Sequence, residues 1–326
     1  MEYTYSLQEI KNRIISGEQI NKEEALFVAG QPLEELCAAA DEIRETFCGN
    51  VFDICSVINC KCGNCPEDCR YCAQSVYNHA TVEDHPLIST EEMLKQAKHN
   101  KALGALRCEL VSGGRRMSDK EIDTVCESIR AVKQEVDIEI CVSFGLLERR
   151  HFEKLKAAGV SRAHCNLESS ERFFQTLCTT HTYEEKIATI KAAKEAGLSI
   201  CSCGIFGLGE TMEDRIELAF RERELGVKSL PLNMLKPIKG TPFENAEMLS
   251  NDEMRRIVAV FRLILPDASV RMAAGRDRLW DKGEACFQSG SNAAITGDFL
   301  TVSGSKINQD MEMLKKLHYE VALWEA

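Results

Sequence analysis

Nothing in this chain approaches the ~20 consecutive apolar residues a helix needs to cross a bilayer. The polar start Met1-Glu2-Tyr3-Thr4 lacks the apolar core of an export signal. Positive charge is also short, with 40 Lys and Arg against 51 Asp and Glu and a formal net charge of −11. Non-specific attachment to nucleic acid or to a membrane surface needs a basic face, so both classes are disfavoured. No Gly/Ser-rich linker and no low-complexity tract divides the 326 residues. With 44% hydrophobic and 28% charged residues, one large core under a soluble surface is expected. The expected location is the cytoplasm.

Cysteine, by contrast, is plentiful: there are sixteen. Disulfide frameworks belong mostly to small exported domains with weak cores, and neither condition holds here. Reduced thiols serving metal–sulfur chemistry in a strongly reducing cell fit better. Three of them, Cys65, Cys69 and Cys72, stand in one short run, Gly63-Asn64-Cys65-Pro66-Glu67-Asp68-Cys69-Arg70-Tyr71-Cys72-Ala73-Gln74-Ser75. Zinc loops favour CxxC pairs and four ligands, whereas CxxxCxxC suits three irons of a cubane iron–sulfur cluster. Such a cluster normally takes four thiolates, so one iron stays open.

The rest of the chain reads as short apolar runs alternating with amphipathic stretches. Residues 1–50 form an N-terminal helical extension, with a capping box at Ser6-Leu7-Gln8-Glu9 and another helix start at Asn21-Lys22-Glu23-Glu24. Strands are predicted at Val51–Asn59, Ala105–Val111, Asp137–Val142, Arg162–Leu167, Ser199–Ile205, Ser229–Asn233, Ser269–Met272 and Asn292–Ile295. Helices are predicted at Thr90–Asn100, Asp119–Gln134, Glu148–Ala158, Thr182–Ala196, Met212–Leu225 and Asn251–Leu265, with Gly159 and Gly197 as terminators. Repeated strand–helix alternation without a linker favours a (β/α)8 barrel over residues 51–304, closed by a packing helix within 305–326. Active sites of such barrels lie at the C-terminal ends of the strands, which places the cysteine loop at the mouth.

The run Cys65–Ser75 closely resembles the cluster loop of the biotin synthase family, within the radical S-adenosylmethionine (SAM) enzymes. The resemblance extends from about Val51 to Gly304 and includes His164-Cys165-Asn166-Leu167-Glu168, Cys201-Ser202-Cys203-Gly204-Ile205-Phe206-Gly207, Leu232-Asn233-Met234-Leu235, Lys239-Gly240-Thr241-Pro242 and Val270-Arg271-Met272-Ala273-Ala274-Gly275-Arg276. It implies that Cys65, Cys69 and Cys72 hold a [4Fe–4S] cluster that reductively cleaves SAM. It implies further that Tyr71, Asn166, Glu168 and Ile205 bind SAM, and that His164, Asn166 and Asn233 face the substrate, dethiobiotin. Glu168 stands where the family more usually has Asp, and His164 where it has Asn. Strand residues two apart share a face, so His164, Asn166 and Glu168 point one way and Cys165 and Leu167 the other.

The resemblance also implies an auxiliary [2Fe–2S] cluster on Cys108, Cys141, Cys201 and Arg271, the source of the inserted sulfur. This chain departs from that pattern at Cys55, where many members have Ser, and at Cys203, in place of Gly. Five thiols, Cys55, Cys108, Cys141, Cys201 and Cys203, are thus candidates to face one barrel interior. A four-iron variant enclosed by Cys55, Cys108, Cys141 and Cys201 stands beside the two-iron form. Three ordinary buried cysteines are the plain alternative. Cys60 and Cys62, just before the loop, read as exposed spectators, with help in cluster assembly as the alternative, and Cys37, Cys48, Cys126, Cys178 and Cys286 show no ligand spacing. Ser112-Gly113-Gly114 is weak as a phosphate loop.

Implied partners are a flavodoxin or ferredoxin electron donor and a second copy in a homodimer. Two rival readings are a related radical barrel for rearrangement or metallocofactor maturation, and a non-catalytic iron–sulfur scaffold. The first need not retain Cys108, Cys141, Cys201 and Arg271 together. The second has no use for a polar barrel interior.

Overall fold

A computed structural model describes residues 5–297 and 304–324. The start Met1-Glu2-Tyr3-Thr4 lies outside them. Among the described residues the strands are β1 (Val51–Lys61), β2 (Arg107–Ser112), β3 (Glu139–Ser143), β4 (Arg162–His164), β5 (Ser199–Cys201), β6 (Gly204–Phe206), β7 (Ser229–Met234), β8 (Ser269–Met272), β9 (Ala293–Thr296) and β10 (Glu320–Val321). All pairings are parallel, and β9 returns to β1 through Asp53↔Ala293 and Cys55↔Ile295, which closes the barrel. Closure leaves the eight barrel strands without a free edge among the described residues, β10 alone pairing on one side. β5 and β6 are one barrel strand broken at Ser202-Cys203, so the fold is an eight-stranded TIM-type barrel.

Three helices, α1 (Leu7–Ile15), α2 (Lys22–Ala29) and α3 (Leu33–Cys48), precede the barrel. The surrounding helices follow as α4 (Thr90–Ala102), α5 (Asp119–Glu135), α6 (Arg149–Ala158), α7 (Glu171–Phe174), α8 (Tyr183–Glu195), α9 (Met212–Glu224), α10 (Asn251–Ile264), α11 (Glu284–Phe287) and α12 (Ile307–Lys316). Reciprocal capping boxes start α2 at Asn21–Glu24, α5 at Ser118–Glu121, α8 at Thr182–Glu185 and α10 at Ser250–Glu253. Each satisfies amides that the first helical turn leaves without partners. The box expected at Ser6 does not form. Ser6 is extended and its side chain makes no cap bond, so burial of Ile10 and Ile14 holds α1 instead. Gly159 takes φ +111°, the left-handed conformation that ends α6.

The last described strand has a separate task. β10 pairs with β1 below the barrel, through Val51↔Glu320, and the Trp324 amide reaches Asp53 at 3.5 Å. Tyr319 packs on Phe52 with ring centroids 5.1 Å apart. The segment Glu320–Trp324 therefore packs against the N-terminal end of β1, on the floor side of the barrel.

Candidate active site

β1 leads directly into the cysteine loop, which folds on itself. The Cys65 amide donates to the Gln74 carbonyl at 3.0 Å and the Val76 amide returns to the Cys65 carbonyl at 3.0 Å. The Asn78 side chain donates to the carbonyls of Cys69 and Cys72 at 3.2 and 2.8 Å. These bonds fix the three thiols on one turn, against a cavity of about 230 Å³ that all three line. Gly113 forms part of the same wall, and a Cβ there would meet Gln74 Oε1 at 2.1 Å. The close approach explains that glycine better than a phosphate loop does.

Glu67 and Asp68 anchor the loop to residues more than a hundred positions away. Asp68 accepts from the amides of Thr179 and Thr180 at 2.8 and 3.1 Å. Burial opposes its charge, but the Thr179 bonds hold its carboxyl below the usual range. Glu67 meets His181 Nδ1 at 2.5 Å and Arg115 at 3.2 Å. This anchor brings in a residue that spacing gave no reason to choose. Cys178 Sγ lies 3.7 Å from Cys69 Sγ and 3.2 Å from His181 Nδ1. Shared hydrogen bonding raises the Cys69 thiol and lowers that of Cys178 to about 4. Cys69, Cys178 and His181 together have the donor geometry of a small metal site. Its only sequence trace is the pair Cys178 and His181, three residues apart.

A second cavity, of about 270 Å³, opens beside the first and is lined by Tyr71, Glu109, His164, Asn166, Glu168, Ile205 and Asn233 among others. Tyr71, Ile205 and Leu235 form part of its apolar wall, packed with Leu177 and Leu208 behind them. Glu168 is held in a left-handed backbone, φ +73°, a conformation uncommon for non-glycine residues. The Ile205 amide donates to its carbonyl at 2.9 Å, and a Cβ on Gly204 would strike that carbonyl at 2.3 Å. One Glu168 oxygen accepts from Lys186 at 3.5 Å, while the other is buried without a protein donor. A buried carboxylate oxygen of this kind calls for hydroxyl or ammonium groups on a ligand.

His164, Asn166 and Glu168 do line one cavity, with Leu167 in the core, but β4 ends at His164, so the loop beyond it and not the strand period places Asn166 and Glu168. Both ring nitrogens of His164 are engaged, Nδ1 with Glu109 at 2.5 Å and Nε2 with Asn166 Oδ1 at 2.7 Å. Asn166 Oδ1 also accepts from the Cys203 amide at 3.1 Å, which makes it the oxygen side and His164 Nε2 a donor. Burial alone would lower the His164 pKa, but the Glu109 carboxylate outweighs it and pushes the value up to about 10 from 6.5. The pair's contribution to stability is therefore full below about pH 6.5 and is lost as pH rises through about 10. A nitrogen-15 titration should show a doubly protonated His164 ring at pH 8; a neutral ring at pH 7 would contradict the geometry.

Asn233 lines the same cavity, but its amide already braces the barrel. Nδ2 donates to the carbonyls of Gly204 and Pro231, and Oδ1 accepts from the Ala274 amide at 3.2 Å. One lone pair remains for a ligand. Lys236 also lines the cavity and pairs with Asp277 at 2.9 Å.

The deeper thiols divide in a way the sequence reading did not foresee. Cys55 is buried inside the barrel with Ala273 and Ile295. Cys141 lies within electrostatic reach of Cys55, Cys201 and Glu109, and Arg271 within reach of Cys55 and Cys201. Cys108 is not among them. Its sulfur sits 3.2 Å from Ser56 Oγ and 3.8 Å from Asn100 of α4, on the helix side of β2. Glu109, the next residue, takes the inward place, because successive strand residues alternate faces. Cys203 also leaves the set. The strand breaks before it, and it joins the main core near Glu222. Arg271 is engaged from the other side: it donates to the Asp53 carboxylate at 3.3 Å and to the carbonyls of Asp53 and Ala294 at 3.2 Å. Burial pushes the Cys55 thiol up, with the guanidinium of Arg271 acting against it.

The sequence profile described as the radical SAM superfamily matches residues 61–221, and that of the biotin and thiamin synthesis associated domain matches residues 231–320. Biotin synthase 2 of Corynebacterium diphtheriae is 49% identical over 319 residues, 98% of this chain and 97% of its own. The biotin synthase of Brachyspira hyodysenteriae is 50% identical over 320 residues, 98% and 96% of the two chains. The chain belongs to the biotin synthase family. Among solved structures, methylornithine synthase superposes with a TM-score of 0.84 at 19% identity, over 97% of this chain and 98% of that one. A FeFe-hydrogenase maturase from Carboxydothermus hydrogenoformans gives 0.80 at 19%, over 96% and 78%. At such identity the likeness shows the fold. No helix among the described residues is long and apolar enough to cross a membrane.

Proposed function

We propose that this enzyme converts dethiobiotin to biotin, with Cys65, Cys69 and Cys72 holding the SAM-cleaving cluster and Cys55, Cys141 and Cys201 an auxiliary one. The family membership supports the reaction. The observation that carries the residue assignment is the stacking of two thiol groups, one on the mouth loop and one inside the barrel, with the Glu168 cavity at the mouth. Both fit their groups. Three thiols on one turn face a cavity, and three more inside the barrel lie near buried arginines that would otherwise lack counter-charge.

When bound, the mouth cluster supplies the electron for SAM cleavage, and the auxiliary cluster supplies sulfur for carbons whose C–H bonds no general base could ionise. The protein's own work is positioning. Tyr71 and Ile205 wall the cavity for the adenosyl part, and the free Glu168 oxygen accepts from ribose or ammonium groups. His164, held by Glu109 and Asn166, is a rigid wall between mouth and interior rather than a mobile acid. Asn233 offers its remaining lone pair to the substrate's ureido group. Arg271 is a poor iron ligand, since a guanidinium has no free lone pair and this one is spent on Asp53. Three thiolates without Cys108 favour a four-iron auxiliary cluster with one iron not held by thiolate. A flavodoxin or ferredoxin would deliver the electrons, and the assembly would be a homodimer.

Anaerobic turnover of the reconstituted enzyme with dethiobiotin, SAM and a strong reductant should yield biotin. In the same assay Asn233→Ala should weaken substrate by about 1–3 kcal/mol, the cost of buried polar groups left unpaired. Cleavage of SAM with no biotin, despite an intact auxiliary cluster, would show the substrate to be another molecule.

A further inference from the structure

The barrel floor carries more positive charge than its own residues balance. Arg107, Arg162 and Arg271 are all buried there, and Asp53 is the fully buried carboxylate among them. Each guanidinium lies within electrostatic reach of Asp53, and Arg162 within reach of both other arginines. Asp53 is committed to Arg271. Among the described residues, Arg107 donates to Ser161 at 3.0 Å and pairs with the rim carboxylate Glu139 at 4.0 Å, while its Nε and Nη2 are buried without partners. Arg162 donates only to the hydroxyls of Ser199 and Ser229, at 3.2 and 3.4 Å, among the described residues. Glu109 does not supply the missing charge, because it is spent on His164. β10 and the Trp324 amide pack against the β1 side of this floor.

Unpaired buried cations are among the most destabilising features a core can contain. Here the arginines lie among three thiols: Cys141 stands beside Arg162 and Cys55 beside Arg107 in the strand register, Arg162 is also within electrostatic reach of Cys201, and Arg271, though paired with Asp53, is within reach of Cys55 and Cys201. We propose that Arg107 and Arg162, with Arg271, form a charge cage that selects a multiply anionic, sulfide-bearing occupant for the Cys55–Cys141–Cys201 site. This rests on the auxiliary-cluster reading and adds the positioning residues that set its charge. The cage carries an excess of about two positive charges; a four-iron core with three thiolates offsets about one of them, a further sulfide on the open iron offsets the rest, and a neutral substrate offsets none. Guanidinium groups beside such an occupant would donate charge-assisted hydrogen bonds to its sulfide and oppose its loss to solvent.

The cage makes a prediction with opposite signs in the two forms of the full-length protein. Arg162→Gln should raise the melting temperature of the apoprotein by a few degrees, because it removes a buried unpaired charge. In protein reconstituted anaerobically with ferrous iron and sulfide, the same variant should lower the melting temperature and lose at least about half of the auxiliary iron and sulfide, charge pairing being the dominant buried term. The midpoint potential of the remaining auxiliary cluster should fall, since a lost positive charge disfavours reduction. SAM cleavage should persist, and Arg162→Lys should restore most of the iron. Arg107→Gln repeats the measurement should Arg162→Gln fail to fold. A change of the same sign in both forms, or full auxiliary loading in the Gln variants, would reduce these arginines to structural supports and overturn the cage. Wild-type protein that loads only the mouth cluster would instead overturn the auxiliary-cluster reading itself.

Discussion

Replacing any one of Cys65, Cys69 and Cys72 with Ala is expected to abolish reductive cleavage of SAM while leaving the absorbance of the auxiliary cluster. The two thiol sets lie on separate parts of the barrel, one on the loop after β1 and one on the inner faces of β1, β3 and β5. Three thiolates already leave one iron open, and removing another leaves too few to retain the cluster. Production of 5′-deoxyadenosine, measured anaerobically with dithionite, should fall to background in all three variants. If all three retain it, the radical mechanism is wrong for this chain. Cys69 is the most informative, because Cys178 stands 3.7 Å away. The double variant Cys69→Ala, Cys178→Ala should match Cys69→Ala alone, unless Cys178 serves as a substitute ligand.

Cys55→Ser and Cys108→Ser should part company. Cys55 lies within reach of Cys141 and Arg271 inside the barrel, so its loss should remove most auxiliary iron and biotin formation while SAM cleavage continues. Cys108 faces Ser56 and α4, and a serine there replaces one small polar group by another in a site already lined with hydroxyl and amide. Its variant should keep auxiliary iron and biotin yield near those of the wild type. Iron and sulfide analysis with Mössbauer spectra on both variants checks this directly. Equal losses would return Cys108 to the ligand set and mean that β2 presents its other face when loaded.

Much of the architecture was legible in local pattern. Capping boxes such as Ser118–Glu121 and Ser250–Glu253 and the terminator Gly159 mark helix ends by chemistry confined to a few neighbouring residues. The predicted strands agree with the observed ones to within a few residues, except at Ser202-Cys203. There the Asn166 side chain takes the Cys203 amide and the Ser202 side chain turns to Glu222, so the strand breaks.

The mouth loop was legible for the same local reason: three ligands within eight residues carry their geometry in their spacing. The interior was not. Whether Cys108 or Glu109 looks inward depends on the phase of the β2 pleat, and a shift of one residue exchanges every side chain between faces. That phase is set by the register Ser56↔Cys108 across β1 and β2, a pairing between residues some fifty positions apart. Motif order says nothing about it. Cys178 beside Cys69 and three arginines around one Asp53 are likewise products of closure, brought together from segments whose own sequences record no attraction. The sequence by itself determined the barrel, its helices and the cysteine loop at its mouth, because short-range chemistry suffices for each. Which thiols and charges share the interior was decided only by the tertiary structure, because register and closure are properties of strands meeting, not of any one strand.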